Sequence, residues 1–140
     1  MSFREKSAWI SLGIYIAVYG YYFFTIAAAA AAGQSATFPF ARLLGQVLWV
    51  LLIAEIALQA AAGAMKPKEA NAPRDERERL ILLKSTRWAF YIVMIGAATG
   101  AGTVAYGLPP FYTANGIFLA VVLAQVVKFA SEAVHLRIGA

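Results

Sequence analysis

The sequence predicts an all-α protein, a bundle of four transmembrane helices with both termini on the cytoplasmic side and the third helix extended into the cytoplasm. Three observations lead there. The chain is 61% hydrophobic and only 14% charged, whereas soluble domains carry about 25% charged residues. Its charges are bunched, which leaves four stretches of about 20 residues apolar enough to cross roughly 30 Å of hydrocarbon as helices. Lysine and arginine gather on one side of those stretches. One integral membrane domain over 1–140 follows.

The first span is expected at 8–32, inside a charge-free stretch that runs from Ser7 to Ala41. Arg4 and Lys6 before it raise a secretory signal as the competing reading. The run is too long and too aromatic for one, carrying Tyr15, Tyr19, Tyr21, Tyr22, Phe23 and Phe24, so an uncleaved span is expected. Gly33 tolerates a helix C-terminal cap and Pro39 cannot sit in a helix interior, so 33–40 is a short turn after which the chain turns back. The second span, 43–64, carries one acid, Glu55, near its middle.

The connection 65–87 is the only hydrophilic region of any size. Pro67, Asn71 and Pro73 mark its first part as irregular, while Asp75 and Glu76 suit a helix start near Pro73 that runs on into the third span, 88–106. No charge occurs from Trp88 to Val127, and Gly107, Pro109 and Pro110 divide that stretch, so the fourth span is expected at 112–136. The termini and 65–87 hold Arg4, Lys6, Lys66, Lys68, Arg74, Arg77, Arg79, Lys84, Arg87 and Arg137, whereas the opposite loops hold only Arg42. That asymmetry puts both termini inside.

The chain has no cysteine, which rules out disulfides, thiolate metal sites and cysteine nucleophiles. Its formal net charge of +5 sits beside apolar segments, so it is read as topology and contact with the lipid bilayer, not as direct nucleic-acid binding. No phosphate loop, nucleophile elbow or zinc motif is present, and the polar part is too short for a catalytic domain. A conventional enzyme is not expected.

Glu55 is the most informative residue, because a carboxylate near the bilayer centre is costly unless it is paired or faces a wet interior. The second and fourth spans run the same way, which makes Lys128 its candidate partner, about one helical turn deeper. Gln46, Gln59 and Gln125 offer hydrogen bonds instead. A structural pair and a proton, ion or ligand role both stay open. Lys128, Glu132 and His135 share one helical face, where snorkelling into headgroups is the plainer use. Glu132 and His135 form half of a Glu-x-x-His carboxylate motif whose other half is missing, so no metal site is predicted. Haem ligation would need two copies of the single histidine in a symmetric dimer.

Tyr15, Tyr19 and Tyr22 share a face that can stack on a flat ligand such as a quinone, although such stripes more often pack. Gly96 and Gly100 make a small-xxx-small pattern for close helix contact, either within the chain or across a homodimer through the third helix. Arg74, Asp75, Glu76, Arg77, Glu78 and Arg79 form a mixed-charge surface able to dock a cytoplasmic protein partner.

Three local patterns carry a resemblance. Glu5, Lys6 and Trp9 open the first span toward Tyr19 and Gly20; Asp75, Glu76 and Arg77 lead the third; and His135, Leu136, Arg137, Ile138 and Gly139 close the fourth. Together these resemble the small uncharacterised four-helix bacterial inner-membrane proteins with an Asp-Glu-Arg cytoplasmic loop. His135 and Leu136 depart from the tyrosine-rich end of that family. The resemblance implies a multi-pass protein of the bacterial inner (cytoplasmic) membrane and a helix-turn-helix regulator as partner. The leading expectation is a non-enzymatic membrane sensor or anchor. The alternatives are a small transporter or ion-conducting subunit, oligomeric and using Glu55 and Lys128, and a redox subunit binding haem or quinone.

Overall fold

The computed structural model describes residues 3–138, apart from the Glu69 side chain. Gly139 of the closing motif lies outside the described residues. The elements are α1 (Phe3–Ala31), α2 (Phe40–Met65), α3 (Pro67–Ala70), α4 (Glu76–Ala105) and α5 (Pro110–Ile138). Helices α1, α2, α4 and α5 are each long and apolar enough to cross a membrane, and they correspond to the four expected spans. The observed helices begin before the expected spans, and in α1 and α4 the extra residues are polar turns that precede the apolar stretch.

The helix ends follow local chemistry. After α1 the chain enters Gly33 at φ 72°, where Gly33 N–H donates to the Ala30 carbonyl and Gln34 N–H to that of Ala29. After α4 the same arrangement recurs at Gly107, φ 69°, with Gly107 N–H on Val104 and Leu108 N–H on Thr103. Both are Schellman closures, which need a left-handed residue that glycine supplies without a Cβ clash. Pro110 opens α5 in its first turn, where its missing N–H leaves no gap. At the head of α4, Asp75 accepts from Glu78 N–H at 2.7 Å and its own N–H donates to Glu78 at 3.3 Å. This capping box puts the N-cap two residues beyond Pro73 and the first helical residue at Glu76. Within 66–75, expected to be irregular, Pro67 starts the one-turn helix α3.

The closest helix pairs are α2 with α1, α1 with α5, and α5 with α4, all antiparallel. Helices α1 and α5 therefore hold the middle of the bundle, while α2 and α4 flank it. Burial agrees, since α1 and α5 supply most of the buried residues and α2 buries only Val47 and Leu51. The core centres on Ile14, Tyr19, Tyr22, Ile26, Phe111 and Val122. Large apolar residues on the flanks, Trp49, Ile53, Ile56, Phe90 and Ile95 among them, are exposed, as suits helices whose outer faces meet hydrocarbon.

Candidate functional site

Besides the Thr103–Thr113 hydroxyl contact at 3.1 Å, the hydrogen-bonded polar side chains described inside the bundle collect in three places, and their helices decide which. Between α1 and α2, Ser7 and Ser11 sit one turn apart opposite Gln59 and Glu55. Ser11 Oγ donates to Glu55 Oε1 at 2.5 Å, Gln59 Nε2 donates to Ser11 Oγ at 2.9 Å, and Ser7 Oγ donates to Gln59 Oε1 at 2.6 Å. Glu55 Oε2 is buried without a hydrogen-bond partner.

This corrects the expected Glu55–Lys128 pair. No ion pair joins them among the described residues, because Glu55 is turned onto α1 while Lys128 Nζ lies 4.9 Å from the ring of Phe129 on α5. Of the glutamines, Gln59 joins the Glu55 network, while Gln46 and Gln125 donate no side-chain bond to it. Sequence reasoning passed over Ser7 and Ser11. The available signal was positional: Ser11 and Glu55 are equally far in sequence from Gly33, as are Ser7 and Gln59, and tightly turned antiparallel helices bring such positions level.

The second polar place lies in the middle of the bundle. Tyr22, fully buried, donates its hydroxyl to Asn115 Oδ1 at 2.6 Å, and Asn115 Nδ2 donates to the Phe111 carbonyl at 2.7 Å. Tyr19 meets Phe118 edge-on at 5.4 Å, and Tyr15 meets Phe129 at 5.2 Å. The tyrosine face that sequence offered to a flat ligand is thus filled by phenylalanines of α5.

The third place is the end of the bundle where α1 starts, α5 finishes and 66–75 crosses. Arg4 Nη2 donates to the Ala72 carbonyl at 2.6 Å while its Nε sits 3.2 Å from Glu78 Oε2. Arg74 Nη1 lies 3.7 Å from Glu132 Oε1. Such partly exposed pairs are worth about 0–1 kcal/mol each, so they lay the segment down without locking it. His135 Nδ1 donates to the Ser131 carbonyl at 2.7 Å, and Ser131 is bonded in turn to Ser85 of α4 at 3.1 Å. His135 is therefore drawn onto its own helix, and among the described residues no three carboxylate or imidazole groups gather as a ligand set.

Of the predicted docking residues, Asp75, Glu76, Arg77 and Arg79 are exposed, while Arg74 and Glu78 are half-buried against α5 and α1. Below them lies a cavity of about 410 Å³ whose lining includes Arg4, Arg74, Lys128 and Glu132. Gly96 and Gly100 belong elsewhere. They face α5 so closely that an added Cβ would lie 2.0 Å from Ala120 Cβ and 2.3 Å from Ile117 Cγ1 respectively. Of the two uses the sequence left open for this small-residue face, the one inside the chain is seen, against α5.

Fold and polar sites together define a four-helix multi-pass membrane protein with a charged segment folded over one end. Comparisons of the chain with protein-family models, with curated proteins and with solved structures each find no match.

Proposed function

We propose that the protein is a non-enzymatic sensor or anchor of the bacterial inner membrane, with both termini and 66–75 in the cytoplasm, and that it presents the head of α4 to a cytoplasmic protein. One observation carries this reading. The mixed-charge face Asp75, Glu76, Arg77 and Arg79 is exposed on a capped helix that continues as a membrane span, while Arg74 and Glu78 of the same segment are held by α5 and α1. A partner at this face reads a surface whose position depends on how those three helices pack. A helix-turn-helix regulator is the partner class that the family resemblance implies.

The two rival readings have less to stand on. Transport through Glu55 and Lys128 needs a shared path, and these residues point into different interfaces. A quinone stacked on the tyrosines has to displace Phe118 and Phe129.

The test is affinity purification of the full chain from native membranes in mild detergent. A cytoplasmic protein should co-purify with the native chain and be lost when Arg77→Glu and Arg79→Glu are combined. Recovery of the same proteins with and without the charge reversal would overturn the docking role.

A further inference from the structure

The cavity beneath the crossing segment holds more positive than negative charge, and its cations are incompletely used. Arg4, Arg74 and Lys128 line it against one carboxylate, Glu132. Arg4 is engaged by Ala72 and Glu78. Arg74 spends one nitrogen on a loose 3.7 Å contact with Glu132 and keeps its remaining donors. Lys128 has no carboxylate within ion-pair distance among the described residues, only the face of Phe129.

A lysine ammonium walled by helices but lacking a counter-ion favours an anionic group, and a phosphate accepts several charge-assisted bonds at once from a lysine and an arginine fork. The volume of about 410 Å³ lies within the usual range for small-molecule clefts, about 300–1,000 Å³. Depth points the same way. Lys84 and Arg87, exposed on α4, stand about half a turn and about one and a half turns beyond the cavity-lining Leu82 toward the apolar stretch, so the cavity opens at the level where lipid headgroups lie.

We propose that this cavity is a binding site for an anionic phosphate group, held chiefly by Lys128 and Arg74, with Glu132 as the competitor that the phosphate displaces from Arg74. The inference goes beyond partner docking and does not depend on it. The same chemistry has two sources, the headgroup of an anionic phospholipid or a soluble phosphate ester.

Native mass spectrometry of the full chain, offered equimolar phosphatidylglycerol and phosphatidylcholine in detergent, tests the site. The native chain should retain phosphatidylglycerol in preference. That preference should fall about fivefold in Lys128→Gln, the loss expected for one interfacial cation, survive in Lys128→Arg, and rise in Glu132→Gln, which frees Arg74. Equal retention of both lipids by a native chain that also binds no glycerol phosphate, or a Lys128→Gln preference equal to the native one, overturns the proposal. If Lys128→Gln does not fold, the Glu132→Gln arm decides, and no gain there overturns it equally. Displacement of the lipid by millimolar glycerol phosphate assigns the site to a soluble ester, and persistence assigns it to lipid. Loss of lipid preference with co-purification intact would sink this site alone, and the reverse outcome would sink only the docking reading.

Discussion

The α1–α2 and α4–α5 hairpins are built alike and held together differently. Each closes on a glycine with positive φ, and in each the facing residues are equally far from the turn: Ser11 with Glu55 about Gly33, Gly96 with Ala120 and Thr103 with Thr113 about Leu108. In α1–α2 the join is a run of hydrogen bonds among serine, glutamine and glutamate. In α4–α5 it is backbone proximity at Gly96 and Gly100, with only single hydroxyl contacts beside it. Lipid gives helices no hydrophobic reason to associate, so each hairpin needs either polar bonds or close van der Waals approach. A polar seam fixes register while leaving side chains between the helices. A glycine seam removes those side chains, and so tolerates almost no added volume.

The glycine seam should therefore break first. Gly96→Ala places a methyl 2.0 Å from Ala120 Cβ, and a methyl cannot turn aside, so α4 and α5 must separate. Overpacking of this kind costs about 1–3 kcal/mol. Gly100→Ala meets the Cγ1 and Cδ1 atoms of Ile117, which a rotamer change can move, so its effect should be smaller. Reversible SDS titration of the two variants checks this order. Gly96→Ala at native stability would mean that α4 and α5 do not pack this closely.

The spans were legible because charge is absent from them and because glycine and proline punctuate their ends. Neighbour relations were less so. Parallel direction alone suggested Glu55 with Lys128, yet a side chain chooses its partner by the face on which it leaves the helix, and Glu55 leaves toward α1. Ser7 and Ser11 carry no charge or size to draw notice. Their pairing shows only when the hairpin is laid out about Gly33. Gly96 and Gly100 announced close contact but not with whom, because a glycine face fits a second copy as well as α5. The cavity under 66–75 was beyond sequence reach, since Arg4, Arg74 and Lys128 meet there from three separate segments.

Between the two seams stands the α1–α5 interface, joined by Tyr22 and Asn115. Tyr22→Phe keeps the ring against Phe23 and Phe118 but leaves buried Asn115 Oδ1 without its donor, at a cost of about 1 kcal/mol. The same titration should place this loss below that of Gly96→Ala. A neutral Tyr22→Phe would mean that ring packing alone joins the central helices.

The polar seam should give the smallest effect, and a double-mutant cycle isolates it. Ser11→Ala removes the donor to Glu55, and Glu55→Leu removes the acceptor, so the coupling between them reports that one bond. Hydrogen bonds between helices in lipid average about 0.6 kcal/mol and reach about 1.7. The low figure is expected, because Gln59 also donates to Ser11 and is left without that acceptor whenever Ser11 is removed, a loss that cancels within the cycle. Glu55→Gln, which keeps an oxygen able to accept from Ser11, should lie closer to the native chain than Glu55→Leu. A coupling as large as the Gly96→Ala loss would make the polar seam the stronger of the two joints, and a coupling of zero would mean that the Ser11–Glu55 bond adds nothing to the join between α1 and α2.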